Sequence, residues 1–367
     1  MKGRDDMNWP EHGGQPAKVG RQFISNETNS SHWLDFSANI HPFGPPEWIK
    51  TIVADSMTAI SVYPDPAYEE PTKRLAELND VSPEQVLVTN GGAEAIFLTA
   101  KLFAGKRAVI VQPTFGEYEQ ACLHYRVETR DVFYDGGFRF PLEELESQMA
   151  WADVIYVCRP NNPSGTVTPE QGIRALLERC EETETFLVVD EAFADFLSEP
   201  DSFLTRMLSQ FNSLILLRSL TKMYSIPGLR IGYLLTSSTI IAKLRRWQMP
   251  WSVNGIAGEV VRALPNHDPY VIEARTFVSE ELARIRERLT ELRFYMSPSQ
   301  VNFYLLYDLE APNKTEELFA FLAKNRIIGR HTHNFKGLNG YFIRFAVKTD
   351  EDNDKLLACL AAWRNHV

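Results

Sequence analysis

The order of apolar runs along the chain predicts an α/β protein: a three-layer sandwich with a mostly parallel central sheet, plus a smaller α+β domain. Three observations carry this. Between residues 86 and 235, short apolar runs alternate with longer helical stretches, the pattern of parallel strands joined by crossover helices. Runs such as Phe186-Leu187-Val188-Val189 and Leu214-Ile215-Leu216-Leu217 are wholly apolar, which suits strands covered on both faces. Beyond residue 263 the pattern becomes a long charged helix, two strands and two helices. The expected domains are an N-terminal arm over 1–45 that packs with the small domain, a large domain over 46–262 and a small domain over 263–367.

Residues 1–33 are polar and rich in glycine and asparagine, and predict an extended arm. Within it His12-Gly13-Gly14-Gln15 places two flexible glycines beside an imidazole, a set that can approach an anion closely. Leu34 to Ile40 alternates like a short strand and runs into the breakers His41-Pro42-Phe43-Gly44-Pro45-Pro46. Helices are expected from Glu47 to about Ala59 and from Tyr68 to Leu78, with the rigid turn Tyr63-Pro64-Asp65-Pro66 between them. Strand Val86–Thr89 leads into Asn90-Gly91-Gly92-Ala93-Glu94, where the free N–H groups of a helix start favour a phosphate. Strand Ala108–Val111 delivers Phe115. Strand Val154–Cys158 ends in Arg159-Pro160-Asn161-Asn162-Pro163-Ser164-Gly165, ahead of a helix from Pro169 to Glu182. Strand Phe186–Val189 ends in Asp190-Glu191, two carboxylates that burial obliges to find partners.

The strand at 214–218 then leads to Ser219-Leu220-Thr221-Lys222, with Arg230 eight residues beyond the lysine. A lysine at the end of a buried strand is a candidate Schiff-base nucleophile, and the hydroxyls and arginine beside it suit a phosphate. Every one of these groups falls at the carboxyl end of a strand, the edge where open α/β sheets place ligands. Helices are expected over Ile240–Trp247, Pro269–Leu292, Thr315–Lys324 and Asp350–Trp363, and strands over Phe303–Tyr307 and Tyr341–Val347. Arg344 lies inside the last strand and so requires an anionic partner from protein or ligand. His331-Thr332-His333 puts two imidazoles on one face of a strand, yet no carboxylate or cysteine accompanies them, so no metal is expected.

The net charge of -10, from 38 basic and 48 acidic residues, argues against a general nucleic-acid binder, which needs a basic face. Cys122, Cys158, Cys180 and Cys359 are scattered, which suits a reducing cytoplasm. The N-terminus has no apolar core of a signal peptide, and no apolar run reaches membrane-spanning length.

Taken in order, the Gly-Gly helix start, strand-end aromatic, Asn-Asn-Pro-Ser-Gly loop, strand-end aspartate and Ser-Leu-Thr-Lys with its arginine resemble the fold-type I aminotransferases of class I/II. The resemblance covers nearly the whole chain. It implies an aspartate-aminotransferase-like large domain and pyridoxal 5'-phosphate (PLP) as cofactor. Lys222 would carry the cofactor covalently and shuttle a proton, and Asp190 would pair with the ring nitrogen. Asn162 would donate to the ring phenolate and Phe115 would stack on the ring. Gly92, Ala93, Ser219, Thr221 and Arg230 would cradle the phosphate, with Glu94 in the same turn. Tyr63 would reach the phosphate held by a neighbouring subunit, implying a homodimer with shared active sites. Arg344 would grip the substrate α-carboxylate.

Two subgroups compete: histidinol-phosphate aminotransferase and L-threonine-O-3-phosphate decarboxylase of cobalamin biosynthesis. His12-Gly13-Gly14, the stretch Leu34 to Pro46, Ser219 to Lys222 and Ile226 to Arg230 resemble the decarboxylase. Phe193 also follows its pattern, where aminotransferases have tyrosine. Gln15, His41 and the pair Arg330-His331 depart from it and leave the substrate open among phosphorylated amino acids. The decarboxylase reading implies a PLP-dependent lyase that makes (R)-1-aminopropan-2-yl phosphate. In it His12, Gly13, Asn39 and Arg330 would hold the substrate phosphate, whose grip turns the bond to be broken into line with the ring π system.

Overall fold

The computed structural model describes residues 9–23, 33–57, 60–197 and 204–366. The chain divides into two compact units. The larger contains Phe43–Asn161 and Val167–Arg275; the smaller contains the chain through Pro42, the stretch Asn162–Thr166 and the chain from Thr276 onward.

Strand β1 (Leu34–Asp35) belongs to the smaller unit. Seven strands of the larger unit follow: β2 (Val86–Thr89), β3 (Arg107–Gln112), β4 (Glu128–Phe133), β5 (Val154–Cys158), β6 (Phe186–Asp190), β7 (Leu214–Ser219) and β8 (Gly232–Leu235). They form one sheet in the order β2-β8-β7-β6-β5-β3-β4, with only β8 antiparallel to its neighbours. Helices cover both sides of this mostly parallel sheet. Strands β5 and β7 are buried at every position, which explains the apolar runs Val154–Cys158 and Leu214–Leu217: strands with both faces covered have no solvent side to make polar. Ile110, Tyr156, Val188, Ile215 and Leu234 pack with helix residues Ala95, Ile96, Tyr118 and Leu244 in one core cluster.

At the carboxyl ends of β5, β6 and β7 a buried ion ladder runs across the sheet. Arg159 Nη1 lies 3.5 Å from Glu191 Oε1, and Arg218 Nε lies 3.4 Å from Glu191 Oε2, with no side-chain exposure at Glu191. Asp195 Oδ1 lies 4.0 Å from Arg218 Nη1, so two guanidiniums face two carboxylates, which offsets the cost of burying them.

The smaller unit holds β9 (Phe294–Met296), β10 (Phe303–Asp308), β11 (Ile327–Ile328), β12 (Arg330–His331) and β13 (Ile343–Ala346). Its main sheet has the order β12-β13-β10-β9 and is antiparallel, while β1 pairs in parallel with β11. The helix Pro269–Glu291 spans the boundary between the units in sequence.

Three local expectations are corrected. The strand expected from Leu34 to Ile40 stops at Asp35, because the Asp35 carboxylate accepts from Ser37 N at 2.8 Å and Ser37 Oγ at 2.6 Å, which turns the chain. Within the expected extended arm, Pro16–Gly20 forms a short helix with proline in its first turn. His331 and His333 do not share a strand face: β12 ends at His331, and Thr332 begins a turn closed by Phe335 N donating to Thr332 O. The two imidazoles instead lie against Trp9, at ring-centroid distances of 4.6 and 4.9 Å.

Candidate active site

The parallel sheet delivers one set of groups to the carboxyl edge of the larger unit. Asp190, the last residue of β6, is buried. Its Oδ2 accepts from Tyr118 Oη at 2.6 Å and its Oδ1 from Ala192 N at 2.9 Å. Burial raises the carboxyl pKa; these two hydrogen bonds and the charge of Lys222 oppose the rise. Lys222 follows β7 by three residues and is only partly buried. Phe115, beyond the end of β3, meets Tyr118 edge-on at 6.0 Å.

Around the strand ends lies a second cluster. Ser219 Oγ and Thr221 Oγ1 are 2.9 Å apart and buried. The helix Gly91–Leu102 starts with no side-chain cap at Asn90, so its first N–H groups are free of a side-chain acceptor. Gly91 has φ +72°, and a Cβ there would lie 2.5 Å from Arg230 Nη2. Arg230 itself is left-handed, with φ 53°. A guanidinium and the positive end of a helix, brought this close together, make a strong anion cradle. Sequence reasoning named Gly92 and Ala93 here; Gly91 is the glycine the arginine demands. Gly232 was missed as well. A Cβ on it would meet Gly91 C at 2.9 Å and Gly92 N at 3.0 Å, so it admits the helix start. Glu94 does not aim its side chain at an anion. Its Oε2 turns back to accept from Asn90 N at 2.6 Å and from Ser252 Oγ at 3.2 Å, and a carboxylate beside a phosphate would repel it. Tyr63 is 80% exposed, its ring 5.0 Å from that of Trp251.

The smaller unit gathers the remaining candidates. Arg344 on β13 donates to Asn162 Oδ1 at 2.5 Å and to Ser37 O at 2.8 Å, while its buried Nε has no hydrogen-bond partner. The bond to Arg344 fixes which end of the Asn162 amide is oxygen and leaves the NH2 end as donor. Ser37 is also where the arm docks. Gly14 N donates to Ser37 Oγ at 2.8 Å, and Gly13 lies so close that a Cβ would come within 2.1 Å of Ser37 O. His12 lies at the surface beside this contact. Asn39 is buried with no hydrogen-bond partner for Oδ1.

Arg330 on β12 is the register partner of Arg344 on β13, so the two Cα atoms are about 4.5–5.5 Å apart. Arg330 donates to Glu11 O, to Asn334 Oδ1 at 2.8 Å and to His331 O at 2.9 Å. All of these acceptors are neutral. Among the described residues no carboxylate pairs with either arginine. Burial pushes Arg330 down to about 10, and burial with the neighbouring Arg330 charge pushes Arg344 down to about 9, against a smaller opposing effect of the Asp35 charge. Like charges opposite one another on adjacent strands are destabilising, and here they are also out of water.

The fold and the strand-end set together define an enzyme class. Residues 31–360 match the family aminotransferase class I and II, and the chain belongs to that family, whose cofactor is PLP. The chain is 34% identical to threonine-phosphate decarboxylase of Salmonella typhimurium, over 89% of this chain and 90% of that protein. It is 28% identical to histidinol-phosphate aminotransferase of Brevibacillus brevis, over 92% of each. A solved structure, histidinol-phosphate aminotransferase from Clostridium acetobutylicum, superposes with a TM-score of 0.86 at 28% identity, covering 91% of this chain and 100% of that one.

The residues present fit the cofactor. A buried carboxylate that accepts from the neutral donors Tyr118 Oη and Ala192 N suits a cationic ring nitrogen. The cradle of Gly91, Ser219, Thr221 and Arg230 suits a phosphate.

Proposed function

We propose that the enzyme decarboxylates L-threonine O-3-phosphate to (R)-1-aminopropan-2-yl phosphate, in cobalamin biosynthesis. The observation that carries this reading is the buried, cross-strand pair Arg330 and Arg344, neither of which makes an ion pair with a carboxylate among the described residues, Asp35 giving Arg344 only a lesser electrostatic support. Two unmatched guanidiniums call for a substrate with two anionic groups on neighbouring carbons. Threonine phosphate has a carboxylate and a phosphate in that arrangement; histidinol phosphate has only its phosphate. The 34% identity to a threonine-phosphate decarboxylase over 89% of the chain supports the same reading.

In this reading Arg344 holds the α-carboxylate in its planar fork. Arg330, Asn39 and the arm at His12 and Gly13 hold the phosphate. Gly91, Ser219, Thr221 and Arg230 hold the phosphate of PLP, and Asp190 keeps its ring nitrogen protonated. When bound, PLP supplies an electron sink for the pair left at Cα. The bond from Cα to the carboxylate carbon breaks, carbon dioxide leaves, and Lys222 returns one proton to Cα. The grip on the remote phosphate decides which Cα bond is cleaved, so binding energy away from the reacting atom selects the reaction.

The second reading, transamination of histidinol phosphate, is favoured by the relatives of that name. A dicarboxylic amino-group donor would also present two anions to the arginines. Incubation with threonine phosphate, and separately with histidinol phosphate plus 2-oxoglutarate, separates the two. Carbon dioxide release from the first with no keto acid present is expected. Glutamate formation in the second, without carbon dioxide from the first, would overturn the decarboxylase.

The active form in this proposal is a cytoplasmic homodimer. Val62, Tyr63, Met249 and Trp251 are 48–80% exposed on the larger unit, and apolar groups exposed together commonly mark an interface. None of the four cysteines forms a disulfide, as in a reducing compartment, and among the described residues no helix is long and apolar enough to cross a membrane.

A further inference from the structure

We infer that Tyr118 is a positioning residue for the cofactor, its hydroxyl holding the Asp190 carboxylate in the orientation that meets the ring nitrogen. The inference rests on PLP as cofactor and is independent of which reaction follows. Tyr118 is 1% exposed. Its ring is fixed between Phe115, edge-on at 6.0 Å, and Tyr156, stacked at 5.7 Å and 20°. So held, the hydroxyl has little freedom, and it donates to Asp190 Oδ2 at 2.6 Å, the short distance expected when the acceptor is a carboxylate. Ala192 N takes the other oxygen. Each carboxylate oxygen therefore has one neutral donor, and the rotation of the group about its Cβ–Cγ bond is set.

Burial and the adjacent Asp190 charge push the Tyr118 hydroxyl well above its ordinary range, so it remains a donor wherever the protein is folded. A neutral donor of this kind supports the negative charge of Asp190 without neutralising it. A cation in the same place would compete with the ring nitrogen for that charge. Tyr118 thus does for Asp190 what burial alone would undo.

The test compares Tyr118→Phe with Tyr156→Phe. The second removes an equally buried hydroxyl from the neighbouring ring, one with no bond to Asp190. Two readouts are taken on purified protein: the dissociation constant of PLP from the apoenzyme, and the 15N shift of the ring nitrogen in holoenzyme loaded with labelled PLP. Tyr118→Phe should weaken PLP binding about tenfold or more, the scale of one hydrogen bond to a charged group, and should move the nitrogen signal toward the unprotonated position. Tyr156→Phe should change neither. In an Asp190→Asn background, Tyr118→Phe should add nothing, because its effect passes through the carboxylate. Equal effects of the two phenylalanine variants, an unmoved nitrogen signal, or full additivity with Asp190→Asn would each overturn the assignment.

Discussion

Replacing Arg344 by glutamine should make the ligand-free protein more stable while destroying substrate binding. Burial and the Arg330 charge lower Arg344 from an ordinary value near 12.5 to about 9. At neutral pH the guanidinium is charged both folded and unfolded, so the depression is carried as a cost of folding that is constant below pH 9. At about 1.4 kcal/mol per pKa step, that cost is on the order of 5 kcal/mol. Against it stand the hydrogen bonds to Asn162 Oδ1 and Ser37 O. Each buried acceptor left unmet costs about 1–3 kcal/mol, and a glutamine amide can serve one of them. The balance is a gain of roughly 2–4 kcal/mol for the empty protein. Binding moves the other way, because an ionic partner lost from a buried pair costs about 2–5 kcal/mol, or about 30- to 5000-fold in the dissociation constant. Urea unfolding of the apoprotein and titration with threonine phosphate read the two effects separately. A variant that is less stable yet binds substrate normally would refute the reasoning, since Arg344 would then be a structural residue.

Lys222→Ala should leave no cofactor covalently attached after borohydride reduction, read by intact mass; attachment elsewhere would displace Lys222 from its role. Gly91→Ala puts a Cβ 2.5 Å from Arg230 Nη2 at a φ of +72°, so the displaced guanidinium should lower PLP affinity by about tenfold, the scale of one charge-assisted hydrogen bond, while the left-handed penalty of roughly 1–2 kcal/mol should appear as lower stability in urea unfolding. If the exposed patch is the proposed dimer interface, the unaltered protein should sediment as a dimer and Met249→Glu as a monomer in sedimentation velocity; a dimer that persists in the variant would show that this patch is no interface. Burial lowers His331 to about 3 and His41 to about 4, against about 6.5 when unfolded. Between those values the unfolded chain binds protons that the folded chain does not, so stability must fall as pH drops from about 6.5 toward 3. For His331 the full loss is on the order of 5 kcal/mol, and His331→Leu should flatten the fall in unfolding free energy measured across that range.

The sheet was legible because β5, β6 and β7 are buried on both faces, and solvent never imprints an alternation on such strands. Strand β4, Glu128–Phe133, was not: it is an edge strand whose residues are mostly exposed or half-exposed, so its sequence reads as polar. The strand-end groups could be named because their chemistry is unusual where it stands, as with Asp190 after four apolar residues. Tyr118 could not be named. It lies on a helix, 72 positions from Asp190, and an isolated tyrosine carries no local sign of its partner. The pairing of Arg330 with Arg344 was hidden for a similar reason. Each arginine was visible singly, but only the register of β12 against β13 makes them face one another. Asp35 looked like a strand residue, and its role as the acceptor that ends the strand depended on the Ser37 contacts.

The ladder Arg159–Glu191–Arg218 ties the fates of three positions together over generations. Loss of Glu191 leaves two buried guanidiniums without their shared carboxylate, at about 3–5 kcal/mol, which is a large part of what a domain has to spare. Loss of Arg159 alone still leaves Glu191 paired with Arg218, and loss of Arg218 also takes the cation beside Asp195. The glutamate is therefore the member that single steps cannot remove. Variant libraries built by one substitution at a time should recover Glu191 unchanged.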